Sequence, residues 1–256
     1  MLTGIDHIVI SVPDLDLAIA SYRQLGFTVA PGGRHAAATH NALIAFADGA
    51  YVELLAFLDP APSHRWWEPL QRGGGLVDYC LGTDDLAGDT AAFRRAGVPL
   101  EDRGQGARVR PDGYQVRWIL SVPPRSGQGL APFLIQDETP RAERVPRETA
   151  QANRVTGIGS VTVAVADVGP VRQWYAAVLG EPGMDRRRDD LEADGVSFAI
   201  ATHTLEFLAP RGSRGPVADW LAQRGPSPYA AALTPGDGKR GPLDAALTLG
   251  ARLSLA

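Results

Sequence analysis

The stretch that decides the fold is residues 3–10, TGIDHIVI, because it returns later in the chain as TGIGSVTV at residues 156–163. From position 3 to position 156 the offset is 153 residues. The same offset carries Tyr22 onto Tyr175, and it carries VELLA at 52–56 onto LEFLA at 205–209. A match at both ends without a net gap indicates two copies of one supersecondary unit.

Two weaker copies accompany this pair. At an offset of 71 residues, Asp78 falls under His7 and Gly97 falls under Gly26. A short fourth copy runs from Tyr229 through a predicted helix at residues 243–249, and we expect it to end before a third or fourth strand. The chain is therefore predicted to contain four modules, the last of them truncated.

Each copy is predicted to be a βαβββ module. In the first, a β-branched strand ends at Asp14, a good helix-capping residue, and apolar residues at helical spacing lead to Gly26. Strands are predicted at 27–29, 41–46 and 51–57, with Asp48-Gly49 as the hairpin turn. The predicted fold class is therefore α+β, built from repeated βαβββ modules.

A polar, proline-containing and charge-rich stretch at residues 137–153 separates two halves. We predict that residues 1–138 hold modules one and two. Residues 139–155 form a linker, and residues 156–256 hold module three with the truncated module four.

Composition excludes several classes of function. A net charge of −4 without a basic cluster argues against binding of nucleic acid. Residues 73–75 are three glycines with no GK[ST] after them, so no nucleotide cofactor is expected. No signal peptide or membrane-spanning stretch is visible, and Cys80, in an apolar run, is expected to be a buried structural thiol. The expectation is a soluble, cytoplasmic protein.

The sequence resembles the glyoxalase-like domain proteins of bacteria, within the vicinal oxygen chelate superfamily. The resemblance rests on GIDHIVI at 4–10 with PDL at 13–15, then LGF at 25–27, PGGRH at 31–35, THN at 39–41, DGAYVEL at 48–54 and PFLI at 132–135. It implies paired modules whose sheets curl around a shared small-molecule cavity. Each module of such a pair can offer one metal ligand from its first strand and another from its last.

Carried over, the ligands of the first module would be His7 and Glu53, with Glu53 also the expected catalytic residue. The other modules depart from this pattern, because Asp78, Phe133, Ser160 and Ala231 stand at ligand positions. Asp78 could be a third ligand; the alternative is a local capping or ion-pairing role. Glu206 repeats Glu53 but has no histidine partner, so a structural role is favoured for it.

Strand alternation supports a common orientation for the first two candidates. His7 lies opposite the aliphatic face of its strand, and Glu53 lies opposite the aliphatic face of its own, so both are expected to point into the cavity. An imidazole and a carboxylate suit one divalent ion such as Zn, Ni, Mn or Fe. A hydrogen-bonded His–Glu pair in a dry pocket is the alternative.

Several polar residues are candidates for contact with a substrate. A two-residue turn at Asp48-Gly49 would place His40 on the face of Glu53, whereas a three-residue turn would place Asn41 there. Gln115 and Arg117 are expected to face the cavity, while the aromatic residues that alternate with them form core. Arg34 and His35 are expected on a mobile loop, where they could bind an anionic group of the substrate, although solvated loop charges are the commoner case.

Two classes of function remain open. The favoured one is a metal-dependent lyase or isomerase acting on a small oxygenated or carbonyl-bearing metabolite; a ring-cleaving dioxygenase is less favoured because it needs two histidines and a carboxylate. The other is a metal-free protein that binds or sequesters a drug or metabolite. A small molecule is the expected partner, and a homodimer is possible.

Overall fold

The computed structural model describes residues 1–36 and 38–256. In the first half the strands are β1 Leu2–Ser11, β2 Ala30–His35, β3 Thr39–Ala45, β4 Tyr51–Phe57, β5 Gly75–Thr83, β6 Glu101–Val109, β7 Gln115–Val122 and β8 Phe133–Asp137. The helices are α1 Leu15–Gln24, α2 Trp67–Gln71, α3 Leu86–Arg95 and α4 Arg141–Arg144. No helix in the described part of the chain is long and apolar enough to cross a membrane.

The second half contains fewer and less regular elements. Its strands are β9 Val155–Ala164, β10 Met184–Arg188, β11 Ala193–Ile200, β12 His203–Pro210, β13 Ser227–Pro235, β14 Gly241–Pro242 and β15 Leu253–Leu255. Its helices are α5 Val168–Leu179 and α6 Pro216–Arg224.

The first eight strands close into a barrel in the order β1-β4-β3-β2-β6-β7-β8-β5. In the first module β1 and β4 are parallel, with Ile8 opposite Val52, and in the third module β9 and β12 are parallel, with Val161 opposite Leu205. Both pairs differ by 153 residues, so the structure confirms the repeat down to the register of the strands. The α+β fold of repeated modules is therefore as expected.

The second half forms an open sheet of seven strands in the order β10-β11-β12-β9-β13-β15-β14. The helix predicted at residues 243–249 is wrong, because most of this segment forms turns. Module four is truncated as expected, with no helix among its described residues, but a third strand that was not expected does form. The short strand β15 pairs in parallel with β13, as β8 pairs with β5, which gives module four the central strand pairing of the others.

Capping residues begin the module helices where the sequence indicated. Asp14 Oδ1 accepts a hydrogen bond from the Leu17 amide at 2.9 Å, and Asp85 and Asp167 cap α3 and α5 in the same way. Gly180 ends α5 in the left-handed conformation. The strand predicted at residues 27–29 is displaced, since β2 begins only at Ala30 and includes Arg34 and His35.

One apolar cluster crosses both halves and packs beneath the barrel. The fully buried Tyr22, Tyr79 and Tyr175 all belong to it, and the hydroxyls of Tyr79 and Tyr175 lie 3.2 Å apart. The segment predicted to be a linker, residues 139–155, lies against the barrel. Its Arg144 and Gln151 are buried, and Gln151 Nε2 donates to the carbonyl of Ala45 at 2.8 Å.

Candidate functional site

The barrel encloses a cavity of about 390 Å³. Its polar lining is concentrated on β1 to β4 and β6, and its apolar lining on β7 and β8. The short segment before α2 adds three polar side chains and Trp66. The lining residues are His7, His35, Thr39, Asn41, Tyr51, Glu53, Ser63, His64, Arg65, Trp66, Arg103, Arg108, Trp118, Leu120, Val122, Pro123, Arg125, Gln128, Phe133, Ile135 and Arg144. A mostly apolar cavity with a few converging polar groups is the usual form of a small-molecule site.

His7 is held by a carboxylate on one side and faces Glu53 on the other. The pairing of β1 with β5 slips between Ile5 and His7, and this irregularity brings the Asp6 side chain beside the His7 ring. Asp6 Oδ1 lies 2.7 Å from His7 Nδ1, and since a carboxylate only accepts, the proton of a neutral His7 lies on Nδ1. His7 Nε2 is then free and lies 3.6 Å from Glu53 Oε2, as expected for two residues sharing the cavity.

Asp6 is the centre of a buried ion network. Arg144 donates to both oxygens of Asp6, at 3.1 and 2.9 Å, and Arg141 also binds Asp6. Burial raises the pKa of Asp6, but Arg144, the hydrogen bond from His7 and Arg141 outweigh burial and hold that pKa well below its usual value. The carboxylate that orients His7 is therefore ionised.

Glu53 is oriented by Asn41. In the pairing of β3 with β4, Leu43 lies opposite Glu53 and Asn41 opposite Leu55, and Asn41 Nδ2 donates to Glu53 Oε1 at 2.6 Å. The amide of Gly49 donates to the Phe46 carbonyl and that of Phe46 to the Ala50 carbonyl, so the turn has three residues. The two-residue turn is therefore wrong, and its alternative, with Asn41 facing the cavity, is confirmed.

His35 is a second nitrogen donor in the cavity, beside Glu53 rather than on the mobile loop where it was expected. It lies at the end of β2, where its Nδ1 is 3.0 Å from Thr39 Oγ1 and its Nε2 is 3.8 Å from Glu53 Oε1. Burial lowers the pKa of His35, with Arg108 acting in the same direction and Glu53 opposing it. Because its strand was expected to be a loop, nothing in the local sequence pointed it at Glu53.

Asp78 lies on the barrel wall but is already engaged. Its Oδ2 accepts hydrogen bonds from Arg65 at 2.9 Å and from Trp66 Nε1 at 2.8 Å. Burial raises the pKa of Asp78, and Arg65 and Trp66 oppose this. The ion-pairing alternative therefore describes Asp78 better than the role of a third ligand.

Four expected substrate contacts lie away from the cavity lining. Arg34, Gln115 and Arg117 are exposed, and the half-exposed His40 is opposite Ala56, one residue out of the predicted register. The orientation predicted for β7 is wrong, because Val116, Trp118 and Leu120 face inward and their polar neighbours outward. On this strand the apolar side chains fill the barrel interior, and the exposed Gln115 and Arg117 lie in solvent.

The second half has no comparable donor set in its described residues. Glu206 Oε2 accepts hydrogen bonds from Thr162 at 2.8 Å and from Arg188 at 3.2 Å, which is the structural role expected for it.

Module two also lacks a ligand on its last strand. Phe133 occupies the position that Glu53 holds in module one, and its ring packs edge-on against His7 with the centroids 5.3 Å apart.

Asp6, His7 and Cys80 bring three donor atoms within 4.8 Å of one another and could hold a metal ion. Two facts argue against a metal ion bound at this side of the His7 ring. The negative charge of Asp6 is already balanced by Arg141 and Arg144. Burial, together with the charge of Asp6, raises the pKa of the Cys80 thiol well above its usual value. Cys80 is fully buried, as expected for a structural thiol.

The barrel of βαβββ modules defines the vicinal oxygen chelate fold. The model of the "Glyoxalase-like domain" family matches residues 5–179, so the chain belongs to that family. A search of curated proteins finds no significant match.

Solved structures share the fold at low sequence identity. A hypothetical protein from Staphylococcus aureus matches with a TM-score of 0.70 and 15% identity, over 100% of this chain and 99% of its own. A mutant 4-hydroxymandelate synthase from Streptomyces coelicolor matches with a TM-score of 0.59 and 16% identity, over 91% of this chain and 71% of its own. A xylose isomerase-like TIM barrel/4-hydroxyphenylpyruvate dioxygenase fusion protein matches with a TM-score of 0.54 and 14% identity, over 91% of this chain and 36% of its own.

Proposed function

We propose that this protein is a metal-dependent enzyme, a lyase or isomerase acting on a small oxygenated or carbonyl-bearing molecule inside the barrel. The observation that carries the proposal is the position of Glu53 between two imidazole nitrogens, with its Oε2 3.6 Å from His7 Nε2 and its Oε1 3.8 Å from His35 Nε2. One metal ion bound at about 2.1 Å by each of two ligand atoms can join atoms that lie up to ~4.2 Å apart. The distances from Glu53 to His7 and from Glu53 to His35 both fall within this limit.

The donor chemistry also fits a divalent ion. Imidazole and carboxylate groups suit Zn, Ni, Mn or Fe, and catalytic sites usually have three protein ligands with an open position. His7 and Glu53 would hold the ion, and His35, which faces the other oxygen of the same carboxylate, is the candidate for a third ligand. When bound, it would act as a Lewis acid that stabilises negative charge developing on a substrate oxygen.

The surrounding residues orient the donors and exclude water. Asp6 fixes the His7 ring so that Nε2 faces Glu53, and Asn41 fixes one oxygen of the Glu53 carboxylate. Tyr51 stacks on His7 with ring centroids 4.5 Å apart, and Phe133 closes the other side. Glu53 is the candidate for moving a proton on the substrate, since its carboxylate faces the cavity.

The direct test is metal content. Purified protein is stripped with chelator, dialysed against Zn, Ni, Mn or Fe(II), and analysed by mass spectrometry. We expect about one ion per chain, lost in His7→Ala, Glu53→Gln and His35→Ala. His40→Ala is the matched control, since His40 lies outside the cavity lining. Failure of all four metals to bind stoichiometrically would contradict the proposal.

A metal-free binding protein is the second candidate, and the apolar lining of the cavity is the observation that favours it. Incubation with a metabolite extract separates the two. An isomerase converts a compound without change of mass, and a lyase splits it into two fragments. A binding protein returns its ligand unchanged.

Two histidines and one carboxylate also suit non-haem iron oxygenases. Oxygen uptake should therefore be recorded with the Fe(II)-loaded protein.

A further inference from the structure

Arg108 is a buried cation in the wall of the same cavity. It lies on β6, directly opposite His35 on β2, and only 3% of its surface is exposed. The residue lines the cavity together with the proposed metal ligands. Nothing in the local sequence of β6 distinguishes it from the exposed arginines nearby.

Arg108 lacks the carboxylate partner that the other buried arginine among the described residues, Arg144, has. Its Nη2 donates to the backbone carbonyl of Arg144 at 2.7 Å, and its Nε has no hydrogen-bond acceptor. Over residues 1–36 and 38–256, no carboxylate lies within 4.0 Å of it, whereas the equally buried Arg144 pairs with Asp6 and Asp137.

A buried guanidinium without a carboxylate partner is costly. Burial lowers the pKa of Arg108, with Tyr51 and Glu53 opposing this, yet guanidinium groups stay charged in proteins. Unlike a lysine, an arginine cannot reduce the free-energy cost of its burial by losing a proton. A buried charge in a protein is normally paired with a group of opposite charge. The cavity that Arg108 lines is where such a group could bind.

We propose that Arg108 binds a carboxylate group of the substrate, and so sets the substrate class as small organic acids with an apolar or aromatic body. This inference rests on the proposed function of the same cavity. The acid group would lie at Arg108 beside His35, and the body against Trp118, Trp66 and Phe133. One unmatched positive charge suits a carboxylate monoanion better than a phosphate dianion, and the planar guanidinium matches the planar carboxylate.

The test compares phenylacetate with phenylacetamide, which have almost the same shape but differ in charge. Binding is measured by isothermal titration calorimetry on wild type and on Arg108→Met, Arg108→Lys and Arg117→Met. Arg117 is the matched control, an exposed arginine on the neighbouring strand. Each titration is run both with chelator and after metal loading, so that failure of the metal site is seen separately from failure of the Arg108 site.

We expect wild type and Arg117→Met to prefer the acid by about 10-fold or more, which corresponds to one charge-assisted hydrogen bond. Arg108→Met should bind both probes equally, and Arg108→Lys should keep part of the preference. Because the empty site carries an unpaired charge, Arg108→Met should also melt at or above the temperature of wild type.

Three results would overturn the inference. One is equal binding of acid and amide by wild type, and another is no binding of phenylacetate at millimolar concentration in either metal state. The third is an Arg108→Met protein that melts well below wild type yet keeps the preference for the acid. That result would identify Arg108 as a structural cation.

Discussion

The side-chain amide of Asn41 donates a hydrogen bond to the carboxylate of Glu53 over 2.6 Å, from one strand of the barrel to the next. The contact exists because the turn after β3 has three residues, which sets Asn41 rather than His40 on the inner face. Hydrogen bonds of this kind orient a ligating carboxylate and raise its affinity for metal.

Replacement of Asn41 by alanine should therefore weaken metal binding. We expect a loss of about 10–100-fold in affinity, measured by competition with a fluorescent chelator. His40→Ala, one position along the same strand, should bind metal like wild type. An Asn41→Ala protein with unchanged affinity would show that Glu53 needs no orienting group.

Gly32 leaves room for Asn41, and filling that room should disturb the site. A Cβ at Gly32 would lie 2.0 Å from Asn41 Oδ1, which a packed side chain cannot tolerate. We expect Gly32→Ala to weaken metal binding as Asn41→Ala does and to lower the free energy of unfolding by about 1–3 kcal/mol. Gly212, with open space around it, is the control for urea unfolding, and Gly212→Ala should be neutral.

The buried Asp6 should contribute strongly to stability. Asp6→Asn leaves the fully buried Arg144 with Asp137 as its remaining carboxylate, so we expect a loss of about 3–5 kcal/mol in the free energy of unfolding, measured in urea. Glu68→Gln removes the exposed pair with Arg72 and should cost less than about 1 kcal/mol. Equal losses in the two variants would contradict the role given to the Asp6 network.

The shared core predicts that the two halves unfold together. Tyr175 of the second half is fully buried, and its ring packs 5.8 Å from that of Phe93 in the first. Tyr175→Ala should cost about 3–5 kcal/mol. Thermal unfolding followed by far-ultraviolet circular dichroism and by tryptophan fluorescence should give one common midpoint. Two separated transitions would show that the halves are independent.

His64 predicts a loss of stability in mild acid. Burial, then Arg65, lowers its pKa from 6.5 to about 4, and its Nδ1 accepts the amide hydrogen of Trp66 at 3.2 Å. Since the unfolded chain takes up the proton first, this contribution is complete above pH 6.5 and is lost as the pH falls towards about 4. Urea unfolding across that range should show a smaller decline for His64→Gln, and an identical decline would contradict the assignment.

Local sequence determined the modules, because strand alternation, helix spacing and Asp or Gly caps act within a few residues. The 153-residue repeat likewise anticipated the matching registers of Ile8 with Val52 and Val161 with Leu205. Strand alternation also predicted that His7 and Glu53 point into one cavity. Only the tertiary structure decided which groups surround them. Asn41 depends on the length of a turn, Asp6 on a slip between two strands, and His35 and Arg108 on pairing between modules. Each of these is set by contacts between residues distant in the chain, and a shift of one residue in strand pairing exchanges the inner face for the outer.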